Sequence, residues 1–384
     1  MFKDKFFGSP IFISGWVKSG TGIFLRLFDN HENIHCPHGE GKLGIVREHL
    51  NLDESHYDSK IKIHDILIKF VSLYTDSDSF NLKHERYVKQ KYSFIIKKKL
   101  ERIKKLNKKN AIKILISTMV EISKKKKTQK SRWVEKNHNL EFFFEKLKKS
   151  FSNPNLLIVC RDPRAAFLSY CRMLKKYNIT NTMNEFNLIV KSYFFYEIDN
   201  YFLGNERFKS IDQLCKYFLI KKKLGLNQYE IWLNKKKPKY LKSENIFTKS
   251  HWNRSKTLVK RYSILYNIIS DRQRWLAKKY NKSVLLIPYE KLIGKHQEIM
   301  NKVFLKLKLN KIKKTLQPIN VGKKFSTNSN FKKEIPDELK NVIYKSHTFW
   351  KKKLSKNEIN VITKMSMPSY RSSVRFFNKL FNKS

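Results

Sequence analysis

Apolar and polar positions divide the chain into a few strongly patterned segments. Ile11 to Ser14 is a short apolar run of strand character, followed by Gly15-Trp16-Val17-Lys18-Ser19-Gly20-Thr21-Gly22. Ile23, Phe24, Leu27 and Phe28 then recur at helical spacing. A second amphipathic pattern, Leu140, Phe143, Phe144, Leu147 and Phe151, predicts another helix. Asn153-Pro154-Asn155 turns the chain, and the unbroken run Leu156 to Cys160 predicts a strand buried on both faces. Arg161-Asp162-Pro163-Arg164 follows, with a helix from about Ala165; Asp162 suits its cap and Pro163 its first position. Leu258, Tyr262, Leu265, Ile269 and Leu276 predict a long helix, Val284 to Pro288 a third buried strand, and the stretch from Tyr289 through Leu307 a further helix. Three strands, each followed by a helix, predict an α/β fold: a central parallel sheet with right-handed crossovers, flanked by helices. Residues 45–130 carry interrupted helical patterns and residues 197–255 little periodicity, so both read as insertions into a single domain spanning residues 1–384.

At 384 residues and 41% hydrophobic, the chain can bury a sizeable core. Its 82 Lys and Arg against 32 Asp and Glu give a formal charge of +50, which invites anionic partners: phosphorylated nucleotides, acidic glycans, nucleic acid or a membrane surface. The excess falls in short runs such as Lys124 to Lys127 and Lys351 to Lys353, which read as solvated faces, so no specific nucleic-acid partner is predicted. Cys36, Cys160, Cys171 and Cys215 show no CxxC spacing and no disulfide framework. No stretch approaches the roughly 18 consecutive apolar residues of a membrane span. The amino terminus lacks the apolar core of a signal peptide, and a cytoplasmic location is expected.

A strand, a glycine-rich turn and a helix form a cradle for phosphate: the helix start presents unpaired N–H groups and Lys18 adds charge. The turn is not a Walker A motif, because Lys18 precedes Ser19-Gly20-Thr21 rather than following the last glycine, and no second acidic site for Mg²⁺ is evident. Arg161, Arg164 and Ser169 form a second constellation at the end of the predicted Leu156–Cys160 strand, where open α/β sheets bind ligands. An arginine fork suits a phosphate dianion. It equally suits an Arg–Asp pair capping a helix, and both readings stand on these residues. His31, His35, Cys36 and His38 match no zinc spacing, and no metal is predicted.

These two segments resemble the paired cofactor signatures of sulfotransferases that use 3′-phosphoadenosine 5′-phosphosulfate (PAPS), a family with a P-loop-like architecture. The resemblance implies that Lys18, Ser19, Gly20, Thr21 and Gly22 hold the 5′-phosphosulfate, and that Arg161 with Ser169, eight residues on, holds the 3′-phosphate. Glu135-Lys136-Asn137 resembles the family's "EKTP" stretch and Tyr289-Glu290-Lys291-Leu292 its "YEDL" stretch. The segment from Gly322 to Phe331 resembles a "GKPWxGNSSF" loop that closes over the cofactor, which implicates Lys323, Asn328 and Ser329. The matches span about residues 10 to 370, with two departures: Gly22 stands where the family carries threonine, and Asn137-His138 where it carries Thr-Pro. The implied chemistry is in-line transfer of a sulfuryl group to an acceptor hydroxyl, without metal, by analogy with phosphoryl transfer. Lys18 is the first candidate for the cation at the leaving group and Lys136 the second. Glu40 matches the place of a catalytic glutamate in some members, with His38 the alternative base. The expected acceptor is a carbohydrate, with lipid-linked sugars, small alcohols and peptide tyrosine also open. Two rival readings are a P-loop-type nucleotide or polyol kinase and a non-enzymatic polyanion-binding protein.

Overall fold

A computed structural model describes residues 5–16, 18–36, most of 60–68, 82–104, 106–122, 125–137, 140–176, 257–314 and 348–381, with residue 316 and short strands between 319 and 334. Five strands form one parallel sheet: β1 (Ile11–Ser14), β2 (Ile34–His35), β3 (Arg132–Lys136), β4 (Asn155–Cys160) and β5 (Val284–Pro288), in the order β2-β3-β1-β4-β5. β1, β4 and β5 are the three strands that the apolar runs predict. β2 has two residues, and β3 carries Arg132, Glu135 and Lys136 among its five, so neither has the composition of a buried strand. All five β3 residues are nonetheless buried. Ile11 stands opposite Val134, Phe12 opposite Glu135 and Ile13 opposite Lys136.

The predicted helices are present at Thr21–Phe28, Leu140–Ser150 and Leu258–Lys279. The helix expected from Ala165 begins at Pro163, because the Asp162 carboxylate already accepts the Arg164 amide (2.9 Å). The helix expected from Tyr289 through Leu307 is two, Tyr289–Gly294 and His296–Lys306, parted at Lys295, whose backbone (φ −138°) is not helical. Helices Leu82–Glu101 and Lys108–Ile122 lie in the first expected insertion; residues 197–255 lie outside the described residues. A helix at Lys356–Phe381 carries no prior assignment from the pattern. Among the described residues no helix is long and apolar enough to cross a membrane. Cys36, Cys160 and Cys171 are free thiols.

The chain folds into two compact units. The first comprises Met1–Ser14, Gly20–Leu157 and Lys295–Pro336. Its aromatic core sets Phe12, Trp133 and Phe151 edge to face, with ring centroids 5.7–6.0 Å apart. Its polar centre is Arg132, only 8% exposed. The guanidinium donates from Nε to Ser9 O (2.9 Å), from Nη2 to Pro10 O (3.1 Å) and Asn155 Oδ1 (2.7 Å), and from Nη1 to Leu307 O (3.3 Å). One side chain thus ties the entrances of β1, β3 and β4 together. Burial lowers its pKa to about 10, which leaves it charged at neutral pH.

His31 and His35 also belong to this unit. The Asn33 amide donates to His31 Nδ1 (3.1 Å), so Nε2 carries the proton and donates to Asn310 O (3.1 Å). His35 Nε2 lies 3.3 Å from Ser131 Oγ. Each ring therefore has a structural partner. Burial depresses both pKa values, that of His35 to about 4.

The second unit comprises Gly15–Ser19, Ile158–Gly294 and Asp337–Ser384. Helices Leu258–Lys279 and Lys356–Phe381 are cross-linked by Asn267 Nδ2 donating to Met365 O (2.8 Å) and Arg274 Nη1 to Ser369 O (2.7 Å).

Arg132→Met is expected to lower the unfolding free energy by about 3–5 kcal/mol, because it strips the donor from four buried carbonyl oxygens. Urea denaturation measures this, and a loss under about 1 kcal/mol would contradict the clamp. His35 is neutral in the folded chain down to pH about 4, whereas the unfolded chain binds its proton below 6.5. Stability is therefore full above pH 6.5 and falls as pH drops toward 4, by up to about 3 kcal/mol from this group. Denaturation curves at stepped pH check the sign, and His35→Gln should flatten the slope.

Candidate anion-binding site

Ser14 ends β1, and its hydroxyl fixes the start of the loop that follows. It accepts the Leu140 amide (2.9 Å) and donates to the Glu141 carboxylate, tying β1 to the first turn of the Leu140–Ser150 helix. The loop then makes a tight turn, with the Ser19 amide donating to Trp16 O (2.9 Å). Lys18, at its tip, has φ 68°, a left-handed conformation that costs a non-glycine residue about 1 kcal/mol. Gly20 follows with φ 100° as the N-cap of the Thr21–Phe28 helix, where glycine is free of that cost. Ser19 is 2% exposed, and its hydroxyl has no hydrogen-bond partner among the described residues. Trp16 is buried with its ring 6.2 Å from Tyr262.

Arg161 leaves the carboxyl end of β4 in the same unit as Gly15–Ser19. Its Nη1 donates to Lys18 O (2.8 Å), and its guanidinium lies 4.5 Å from the centre of the Tyr289 ring. Only 8% of the residue is exposed, and Nε is buried with no acceptor among the described residues. Arg164 differs. It makes a two-point ion pair with Asp162, Nε to Oδ1 (3.0 Å) and Nη2 to Oδ2 (2.6 Å), and stacks 3.9 Å from the Trp350 ring. The two arginines of this segment thus differ: Arg164 forms the pair with the helix-capping Asp162, and Arg161 is buried against the Tyr289 ring with one hydrogen-bonded carbonyl among the described residues. Because Nη1 takes the Lys18 carbonyl, the side-on edge of Nε and Nη2 is the one suited to two oxygens of a phosphate.

Ser169 is half-buried on the Pro163–Lys176 helix, about two turns beyond its cap. In the other unit, Lys136 ends β3, 6% exposed and in register with Ile13. The following Asn137 amide donates to Ile13 O (3.1 Å), so Lys136 sits beside the carboxyl end of β1. Thr21 is buried at the helix start, and Gly22 is half-buried. A Cβ added at Gly22 would meet nothing within 4 Å, so space does not demand glycine where the family carries threonine. Lys323 and Asn328 lie in two-residue antiparallel strands, opposite Asn320 and Phe331 respectively. Glu40, His38 and Ser329 lie outside the described residues.

Two contributors, Tyr266 and Tyr370, carry no signal in the sequence. Tyr266 donates its hydroxyl to Arg161 O (2.8 Å), and Glu290 Oε1 accepts the Asp162 amide (3.0 Å). Burial raises the Glu290 pKa, opposed by the hydroxyl of Tyr370, which donates to Oε2. Glu290 has two signals, its place in the stretch that resembles "YEDL" and its position just past β5, since ligands gather at that edge of a parallel sheet.

No protein-family model matches the chain, and no curated protein is similar to it in sequence. Several solved structures are similar to it in chain path, two of them sulfotransferase domains. One is the sulfotransferase domain from the Synechococcus PCC 7002 olefin synthase, at 11% identity and a TM-score of 0.41, covering 93% of this chain and 94% of that one. The other is the sulfotransferase domain from the curacin biosynthetic pathway, at 14% identity and a TM-score of 0.43, covering 92% and 96%. Likenesses at these values bring neither activity nor substrate to this chain.

Two substitutions probe the loop. Lys18→Gly should be more stable than Lys18→Ala by about 1 kcal/mol, because only glycine removes the left-handed cost; equal melting temperatures would contradict this. Gly22→Thr should fold with unchanged or slightly higher stability, since glycine is the poorer helix former and the space is open. A drop of more than about 1 kcal/mol would show a steric demand at that position.

Proposed function

We propose that this protein is a PAPS-dependent sulfotransferase, moving the sulfuryl group to an acceptor hydroxyl on a carbohydrate. The observation that carries the reading is the state of Arg161: a buried guanidinium with one neutral hydrogen bond and an orphaned Nε, anchored to the loop that resembles the 5′-phosphosulfate cradle. A buried guanidinium with an unmet N–H carries a desolvation cost, and an anionic ligand that accepts from it offsets that cost. The orphaned Ser19 hydroxyl in the same loop is a further donor for an anion.

On this reading Arg161 and Ser169 hold the 3′-phosphate, and Lys18 through Gly22 hold the 5′ end. Lys323, Asn328 and Ser329 belong to the closing loop. The bound nucleotide supplies an activated sulfuryl group. The chain's own share is charge and orientation: Lys18, with Lys136 as second candidate, offsets charge developing on the leaving phosphate oxygens. Glu40 takes the acceptor proton, with His38 the alternative. The Lys18 amine is carried on a strained backbone, a conformation that recurs at functional sites. The carbohydrate acceptor draws support from the charge of +50, which favours acidic glycans.

Isothermal titration tests the donor. Adenosine 3′,5′-bisphosphate should bind without metal, and Arg161→Ala should weaken it by about 2–5 kcal/mol, the scale for truncating a buried charge-paired contact. Binding of Mg-ATP with none of the bisphosphate would replace this reading with a kinase; salt-sensitive nucleic-acid binding without transfer would favour a polyanion-binding protein. For the base, Glu40→Ala should lower turnover of labelled PAPS by roughly 100-fold with nucleotide affinity intact. Wild-type turnover would move the role to His38.

A further inference from the structure

Arg161 O and the Asp162 N–H belong to one peptide unit, and both are claimed by side chains from elsewhere in the second unit, Tyr266 buried and Glu290 half-buried. The Tyr266 hydroxyl, on the Leu258–Lys279 helix, donates to Arg161 O (2.8 Å). Glu290 Oε1, on the Tyr289–Gly294 helix, accepts the Asp162 amide (3.0 Å). The Glu290 carboxylate is held in turn at Oε2 by Tyr370 of the Lys356–Phe381 helix. The neighbouring Tyr289 ring packs 4.5 Å from the Arg161 guanidinium.

A peptide plane held at both its oxygen and its hydrogen cannot rotate without breaking a hydrogen bond. The plane's orientation fixes the backbone angles on either side, and with them the direction in which the Arg161 side chain leaves the chain. We propose that Tyr266 and Glu290 are positioning residues: by clamping the Arg161–Asp162 peptide they aim the free edge of the Arg161 guanidinium at the 3′-phosphate. Tyr370 supports the clamp by fixing the Glu290 carboxylate. The proposal rests on the nucleotide reading above.

The test compares affinities for adenosine 3′,5′-bisphosphate and adenosine 5′-monophosphate, whose ratio isolates the contribution of the 3′-phosphate. Tyr266→Phe removes one hydroxyl from the clamp and should lower that ratio roughly tenfold, the scale of one buried hydrogen bond. Glu290→Ala should lower it at least as far. Glu290→Gln keeps a carbonyl oxygen for the Asp162 amide and should restore most of it. In an Arg161→Ala background, Tyr266→Phe should have no further effect on the ratio. General loss of stability would depress both affinities together and leave the ratio alone. The proposal is overturned if Arg161→Ala collapses the ratio while Tyr266→Phe and Glu290→Ala keep it. Equal loss in Glu290→Gln and Glu290→Ala would assign the effect to charge and also count against it. If Arg161→Ala leaves the ratio intact, the nucleotide reading itself fails. Tyr266→Phe carries the test should Glu290→Ala not fold.

Discussion

Burying a guanidinium is costly, and the structure meets that cost in two different ways. Arg132 is buried and saturated: its Nε, Nη1 and Nη2 reach four carbonyl oxygens from three segments, which makes it a brace for the sheet's entrances. Arg161 is buried to the same degree, 8% exposed, yet among the described residues it has one carbonyl and an Nε with no acceptor. A fold can hold such a group when its surroundings leave it no alternative position, and here they do so from several sides. Lys18 O takes one nitrogen, Tyr289 closes one face, and the peptide behind it is fixed by Tyr266 and Glu290. On the proposed reading, this is the place the second unit offers the 3′-phosphate.

The excess of lysine takes on a more limited meaning beside this. Lys125 donates to the Asp29 carboxylate and to the carbonyls of His31 and Ile34, a structural use in the first unit. Lys127 lies 4.3 Å over Phe6, and Lys279 4.5 Å over Trp275, covering aromatic surface with their stems and charge. Part of the +50 charge is therefore spent on structural contacts.

The three strands with apolar runs, the helix after Gly20 and the Asp162–Pro163 cap were legible because each rests on local pattern: burial on both faces, 3.6-residue spacing, a side-chain oxygen before a helix. β3 was not, because its register in the sheet buries Arg132, Glu135 and Lys136 with their partners, and those partners come from distant segments. The break at Lys295 was invisible to a pattern that continues through it. In the site, Arg161 and Arg164 look equivalent in sequence; only the Asp162 pair tells them apart in space. Tyr266 and Tyr370 stand 105 residues after Arg161 and 80 after Glu290 respectively, and no local rule connects such positions.

The most direct measurement is a crystal structure with adenosine 3′,5′-bisphosphate bound. It should place 3′-phosphate oxygens about 3 Å from Arg161 Nε and from the Ser169 hydroxyl, with the Arg161–Lys18 contact retained. A nucleotide bound elsewhere, or Arg161 Nε still without an anionic partner in the complex, would contradict the sulfotransferase reading.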